Sequence, residues 1–453
     1  MPAPLLMIVA GLCLVYLVGT GLAYRFMKPA AALLLSYLAG WLLLPVGVYP
    51  SGAAEAAFPY WLTGNAVPSD MLWNKVWLIP VANVAASMLV AAPAWRQVRW
   101  GWHDLVMALW CASPLWVDLA PAGQAANPAP LLSALYLFAV WGGTWCLGRV
   151  HLASPDDRAL MLHGMVWATV ACLPLMLVEG LGLGQVHSWL WGPHPFRLDG
   201  TDRYVGYRPM GLFEHGNQYG IWVSLGAFAA LAWWRMARSQ ATAGWLPLYA
   251  VVLACLIAVQ AQSVGALMLA LACWAVFELA QRVSLRRWIV GGLAVAVLAG
   301  AVVVAKPGAI EHVGRNTALG QTMISGLRAV GRGSLFWRVS QDLKVMPLVK
   351  QSPIVGMGQW DWWRPKQTRP WGLHMLVAGQ FGLLGLALML AAWMAAPLRV
   401  LAGHGPGTEK GTGQRVKLVL ALVALASVAD AMLNSFIYFP GLLAAAALVQ
   451  RDR

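Results

Sequence analysis

The stretch GLHMLVAGQFGLLGLALMLAAWMAAP, Gly372 to Pro397, decides the fold class. It holds no Asp, Glu, Lys or Arg, and as a helix it reaches roughly 39 Å, more than the ~30 Å hydrocarbon core of a bilayer. Working outward, similar apolar runs lie near 4–24, 29–48, 72–94, 101–120, 129–150, 159–178, 211–234, 245–261, 263–281, 287–305, 417–433 and 436–450. The expectation is an all-α polytopic membrane protein of about 12–13 transmembrane helices, with residues 1–453 as a single integral membrane domain. The first run has neither a charged segment before it nor a convincing cleavage site, so it is expected to be retained as a span.

Composition agrees. Of 453 residues, 60% are apolar and 11% charged, where a soluble domain carries about 25% charged. Mean hydropathy is +0.64. Cys13, Cys111, Cys146, Cys172, Cys255 and Cys273 lie in apolar runs without a Cys-x-x-Cys pair and read as small buried hydrophobes. The net charge of +14 points, in a membrane protein, to inner-leaflet anchoring and anionic substrates rather than to nucleic acid.

Basic residues orient the bundle. With the 25–28 loop cytoplasmic, 17 of the 31 Lys and Arg fall inside. The outer ones are uneven. Lys75 is alone in its loop, Arg197, Arg203 and Arg208 share the 179–210 segment, and ten crowd the 306–371 segment against only Glu311, Asp342 and Asp361. A net +7 surface on a large outer loop attracts anions, and phosphate on a lipid carrier is the natural one.

The 179–210 segment runs into the seventh span through Arg208-Pro-Met-Gly-Leu-Phe-Glu-His-Gly-Asn-Gln-Tyr-Gly220. Glu214, His215, Asn217 and Gln218 stand at a span mouth, where polar groups usually face the bundle interior or a wet cavity. On a helix Glu214 and Gln218 would share a face. The 306–371 segment carries Arg332-Gly-Ser-Leu-Phe-Trp-Arg338. A surface helix is expected from Ser334 to Lys350, with Trp337, Leu343 and Val349 facing the core and Pro353 and Gly356 ending it. Trp337, Trp360, Trp362, Trp363 and Trp371 form either an interfacial belt or a stacking surface for sugar rings.

His374 opens the next span and can accept a proton near neutral pH; His215 is its rival. There is no GxSxG, HExxH or Walker motif and no Cys/His set with metal spacing. Asp156-Asp157 beside Arg158 reads as a solvated cytoplasmic turn. Asp430, near the outer end of its span, is a candidate counter-ion for an arginine.

These pieces, in this order, resemble the O-antigen ligase superfamily: lipopolysaccharide O-antigen ligases, related polysaccharide polymerases and protein O-oligosaccharyltransferases. The likeness rests on Arg208, Gly211, Phe213 and Asn217; on Arg338 before Pro353, Gly356 and Gly358; and on His374 followed by Phe381 to Gly385. Met375 and Gln380 stand where family members often carry Asn and Glu. The resemblance implies a C-type glycosyltransferase fold in the bacterial inner membrane with the site facing the periplasm. It also implies an undecaprenyl-pyrophosphate-linked glycan donor, inversion at the transferred sugar, and neither cofactor nor metal. The acceptor is expected to be lipid A-core, with polysaccharide polymerase or protein O-oligosaccharyltransferase activity of the same superfamily as the alternative. Within that reading His374 is the general base, Arg208 and Arg338 pair with pyrophosphate oxygens, and Arg332 is the substitute cation. A lipid-linked glycan transporter is the non-enzyme alternative; it would favour midplane charges and internal repeats, and the sequence has neither.

Overall fold

The computed structural model describes residues 3–46, 75–117, 130–192, 194, 202–203, 206–239, 244–305, 316–329, 334–359, 361–405 and 411–450. These are mostly helical, and strand among them is confined to the antiparallel pair Asp202–Arg203 and Gly206–Tyr207. The principal helices are α1 (Ala3–Phe26), α2 (Pro29–Leu43), α3 (Lys75–Val90), α4 (Trp102–Cys111), α5 (Pro130–Leu137), α6 (Gly143–His151), α7 (Pro155–Val170), α8 (Leu173–Gly180) and α9 (Gly216–Ser239). They continue as α10 (Trp245–Gln260), α11 (Val264–Ala280), α12 (Arg286–Ala305), α13 (Ala318–Ala329), α14 (Ser334–Val349), α15 (Leu373–Gly403), α16 (Thr412–Asn434) and α17 (Phe439–Ala447).

Each of the thirteen apolar runs contains a helix or a pair of helices. Five stretches are long and apolar enough to cross a bilayer: Val9–Phe26, Pro130–His151, Pro155–Gly180, Leu373–Gly403 and Thr412–Asn434. Four shorter apolar helices, α2, α3, α10 and α11, accompany them. Together they make a multi-pass helical membrane protein.

The hub is α16. Leu418, Val419, Leu420, Ala421, Val423 and Ala424 are all buried, because α16 is enclosed by α7, α9, α11, α15 and α17. A helix apolar on every side belongs inside a bundle. The last apolar run, 436–450, is not one continuous helix. Ser435 takes a left-handed conformation at the end of α16 (φ 57°), three residues follow without helical structure, and α17 is only nine residues long. Irregular backbone at that depth is tolerated because protein surrounds it: Phe436, Ile437 and Tyr438 are buried. A Cβ on Gly148 of α6 would lie 2.6 Å from the Leu443 carbonyl of α17, the small-residue packing that lets membrane helices approach closely.

Two local expectations are corrected. Asp156 and Asp157 belong to the first turn of α7 rather than to a separate turn, with Asp156 exposed and Ser154 capping the helix, while Arg158 beside them is buried and donates to the Ala447 carbonyl at 3.4 Å. In α14 the buried face is Gln341, Asp342, Val345, Met346, Leu348 and Val349. Trp337 is 51% exposed although it shares a helical stripe with Gln341, Val345 and Leu348, because it lies in the first turn of α14, ahead of the buried part that begins at Gln341.

Candidate active site

The last turn of α16 leaves carbonyl oxygens without helical partners and carries the negative end of the helix dipole. Three separate parts of the chain meet there. His374, in the first turn of α15, places Nδ1 3.0 Å from the Met432 carbonyl. Arg338, from α14, donates from Nη1 to the Leu433 carbonyl at 3.3 Å and to Asn434 Oδ1. Asn217, in the first turn of α9, donates from Nδ2 to the same Asn434 Oδ1 at 3.2 Å. Asn434 is oriented in turn by donating from Nδ2 to Asp430 Oδ1 at 2.6 Å. Asp430, expected as a counter-ion, thus reaches the cluster through Asn434.

Behind Asn217 lies Arg208, 1% exposed. It donates from Nη2 to Asn217 Oδ1 at 3.0 Å and from Nε to the Ala261 carbonyl at 3.1 Å. Gly216 lets the α9 backbone press on the guanidinium, since a Cβ there would sit 2.6 Å from Nε. Arg208 and Arg338, 130 residues apart in the chain, therefore end on one hydrogen-bonded path: Arg208, Asn217, Asn434, Arg338.

Glu179, at the end of α8, holds the approach to this path. Its carboxylate accepts from the amides of Val186 at 2.9 Å, Met210 at 2.6 Å and Gly211 at 2.8 Å, which pins the backbone just after Arg208. Glu214 precedes α9 rather than sharing a helical face with Gln218. Its amide donates to Gln218 Oε1 at 3.0 Å, so the pair closes the start of the helix. Lys75 is not a loop cation: it is buried, donates to the Trp41 and Leu212 carbonyls, stands 5.2 Å from the Phe213 ring centre, and is attracted to the buried Glu214.

The two candidate bases differ in tautomer. A carbonyl can only accept, so the His374 contact with Met432 requires a proton on Nδ1 and leaves the lone pair on Nε2. Nε2 has no hydrogen-bond partner among the described residues. His215 is the reverse. Its Nδ1 accepts from the Asn217 amide at 2.9 Å, so a neutral ring carries its proton on Nε2. Its ring stacks on Phe436 with centroids 5.1 Å apart. His215 is an N-cap of α9, and only His374 is in the form that can take a proton at Nε2.

The 306–371 segment supplies the remaining wall. Asp342 of α14 accepts from the Trp371 amide at 2.7 Å and the Gly372 amide at 3.5 Å, fixing the chain two residues before His374. Burial raises its carboxyl to about 6, against the opposing pull of those amides and of Arg338. The glycine motif and the Phe381-Gly382 pair are one structure. Met357 and Gly358 donate to the Gly379 and Gln380 carbonyls at 2.8 and 3.0 Å, and Leu383 and Leu384 donate to Pro353 and Ile354 at 2.8 and 3.1 Å. This exchange breaks α15 at Gly382 (φ 69°). A Cβ at Gly382 would collide with the Ile354 carbonyl.

The tryptophans divide. Trp362 and Trp363 are buried, and Trp362 donates to the Leu376 carbonyl at 3.3 Å; they are packing residues. Trp337 and Trp371 form a tilted pair at 5.3 Å, with Arg338 5.6 Å and Arg369 4.3 Å from the Trp371 ring centre. Arg332 and Trp360 lie outside the described residues.

Sequence reading missed Asn434, Glu179 and Asp342 as organisers of the site. Asn434 and Glu179 had a usable signal, a polar side chain at the end of an apolar run. No protein-family model, curated protein or solved structure matches the chain.

Proposed function

We propose that the chain is a membrane glycosyltransferase of the O-antigen ligase type, moving a glycan from undecaprenyl pyrophosphate to the lipid A-core of lipopolysaccharide at the periplasmic face. The observation that carries this reading is the convergence of His374, Arg338 and the Arg208–Asn217 pair on the last turn of α16.

In this reading Nε2 of His374 takes the proton of the acceptor hydroxyl. The hydroxyl oxygen attacks the anomeric carbon from the face opposite the pyrophosphate, the carbon–phosphate-oxygen bond breaks, and undecaprenyl pyrophosphate leaves with inversion at the sugar. Arg338, half-buried at the mouth, meets the charge developing on the leaving group. Removing such a contact typically costs about 2–4 kcal/mol of barrier. Arg208 is too enclosed for the same part. In this reading it positions Asn217 and adds its charge from behind, where the resemblance implies direct pairing with pyrophosphate. Glu214, His215 and Gln218 shape the start of α9 beside it. Arg332 stays the second candidate cation.

The test is transfer by purified protein in detergent, without a gradient, from a lipid-linked glycan. Lipid A-core, a second lipid-linked glycan and a protein are offered in parallel. Product on lipid A-core supports ligation. Product on either other acceptor assigns polymerase or protein O-oligosaccharyltransferase activity. Movement of donor across a vesicle membrane with no product would replace the enzyme with a transporter.

A further inference from the structure

A cavity of about 1150 Å³ lies at the other end of the bundle from His374, bordered by Arg96, Arg99, His103, Arg149 and Arg399. His374 and Arg399 stand at opposite ends of α15, at most roughly 37 Å apart along it. Among the described residues no carboxylate borders the cavity. Asp104 lies just behind, where it accepts from Arg149 Nε at 2.8 Å and Nη2 at 3.2 Å, from Trp145 Nε1 at 2.8 Å and from the Gly101 amide at 2.8 Å. Asp156 and Asp157 begin α7 beyond the lining. Among the described residues, Asp104 is the carboxylate beside these arginines, and it is held by Arg149. Arg149 is 2% exposed, and its Nη1 has no hydrogen-bond partner among the described residues. A buried guanidinium N–H without an acceptor is costly and marks a place where an anion is favoured.

A second cavity, about 330 Å³, is bordered by Asp104 and Trp145, and Asp104 holds Arg149 of the first cavity's wall. Its other walls include Met88, Trp100, Cys111 and Phe138, of which Met88, Trp100 and Phe138 are exposed on the side of the bundle. An arginine cavity at a bundle end, with an apolar groove on the far side of the Arg149–Asp104 pair, matches a molecule with a phosphate head and a hydrocarbon tail.

We propose that these cavities form a site for an anionic glycerophospholipid, its phosphodiester among Arg96, Arg99 and Arg149 and one acyl chain along Met88, Trp100 and Phe138. The headgroup supplies the acceptor that Arg149 lacks and relieves repulsion among the arginines. Basic pockets beside membrane helices hold lipid phosphates in this manner. The site is separate from the proposed transfer chemistry, so its test reads lipid binding alone.

Short-chain phosphatidylglycerol and phosphatidylcholine are offered to the purified full-length protein, and bound lipid is counted by native mass spectrometry. Wild type should retain phosphatidylglycerol in preference to phosphatidylcholine. Arg96→Gln with Arg99→Gln removes two exposed side chains whose loss leaves the fold intact. It should weaken phosphatidylglycerol binding by about tenfold or more. Arg25→Gln with Lys28→Gln removes two charges at the same end of the bundle outside the cavity, and should change binding less than about twofold. Equal losses from the two double variants would replace the site with diffuse surface attraction. Equal retention of both lipids would overturn the headgroup assignment. Displacement of the lipid by an equal concentration of inorganic phosphate would show a soluble-anion site and overturn the lipid assignment.

Discussion

Asn217 donates to Asn434 at 3.2 Å, joining the start of α9 to the end of α16. That contact makes one network of two arginines that the sequence holds in separate motifs. Asn434 Oδ1 accepts from both Asn217 and Arg338, so neither donor can be lost without altering the other's partner.

Asn434→Ala should therefore reduce transfer by about 10- to 100-fold, the scale of one or two lost hydrogen bonds to a charged group. Arg338→Ala and Asn217→Ala should be non-additive in the wild-type background and additive once Asn434 is alanine. Kinetics of the full double-mutant cycle check this; additive losses in both backgrounds would separate the arginines energetically.

Gly382 is where α15 breaks. Gly382→Ala combines a positive-φ extended backbone (φ 69°, ψ −176°), costing about 1–3 kcal/mol for an L side chain, with a collision at Ile354. It should lower thermal stability in detergent well beyond Gly326→Ala in α13, where nothing lies within 4 Å. Equal melting temperatures for the two variants would contradict the docking of the glycine motif on α15.

Asp342 gives a pH dependence with a defined sign. Its carboxyl is raised from 3.8 to about 6, so the folded chain binds this proton more tightly than the unfolded one. The stabilisation is complete below about 4 and is lost as pH rises through about 6. Asp342→Asn should remove that part of the decline between pH 4 and 6 in thermal unfolding. A variant that keeps the full wild-type slope would assign the titration elsewhere.

Orientation follows from the cation census. A cysteine at Ser325, exposed on α13, should react in whole cells with an impermeant thiol reagent. One at Thr412, exposed at the other end of α16, should react only after the membrane is opened. Labelling at Thr412 alone would invert the bundle. Ser352 is a poor probe, being buried and bonded to the Gly356 carbonyl at 2.7 Å.

The helices were legible because burial in lipid or protein demands long apolar runs, and each run from Ala3 to Val449 contains one. The bounds of α14 were legible too, through Pro353 and Gly356. The discontinuous last span was not, because Phe436-Ile-Tyr438 is as apolar as a helix and only the conformation at Ser435 breaks it. In the site, His374, Arg208 and Arg338 could be singled out by charge and position. Their junction could not: Asn434 owes its importance to packing of α9, α14 and α16, and local sequence carries no trace of which helices touch. The fate of the tryptophans was equally hidden, since Trp362 and Trp337 differ in burial and not in composition.

If His374 takes the acceptor proton at Nε2, its loss slows the chemical step and spares donor binding. The measurement is single-turnover transfer by His374→Gln beside donor binding by the same protein, with His215→Gln as the comparison. His374→Gln should lose about 10²–10⁴ in rate while binding lipid-linked donor like wild type, and His215→Gln should lose far less. A His374→Gln enzyme that keeps more than about a tenth of the wild-type rate, or one whose loss is matched by failure to bind donor, would contradict the assignment.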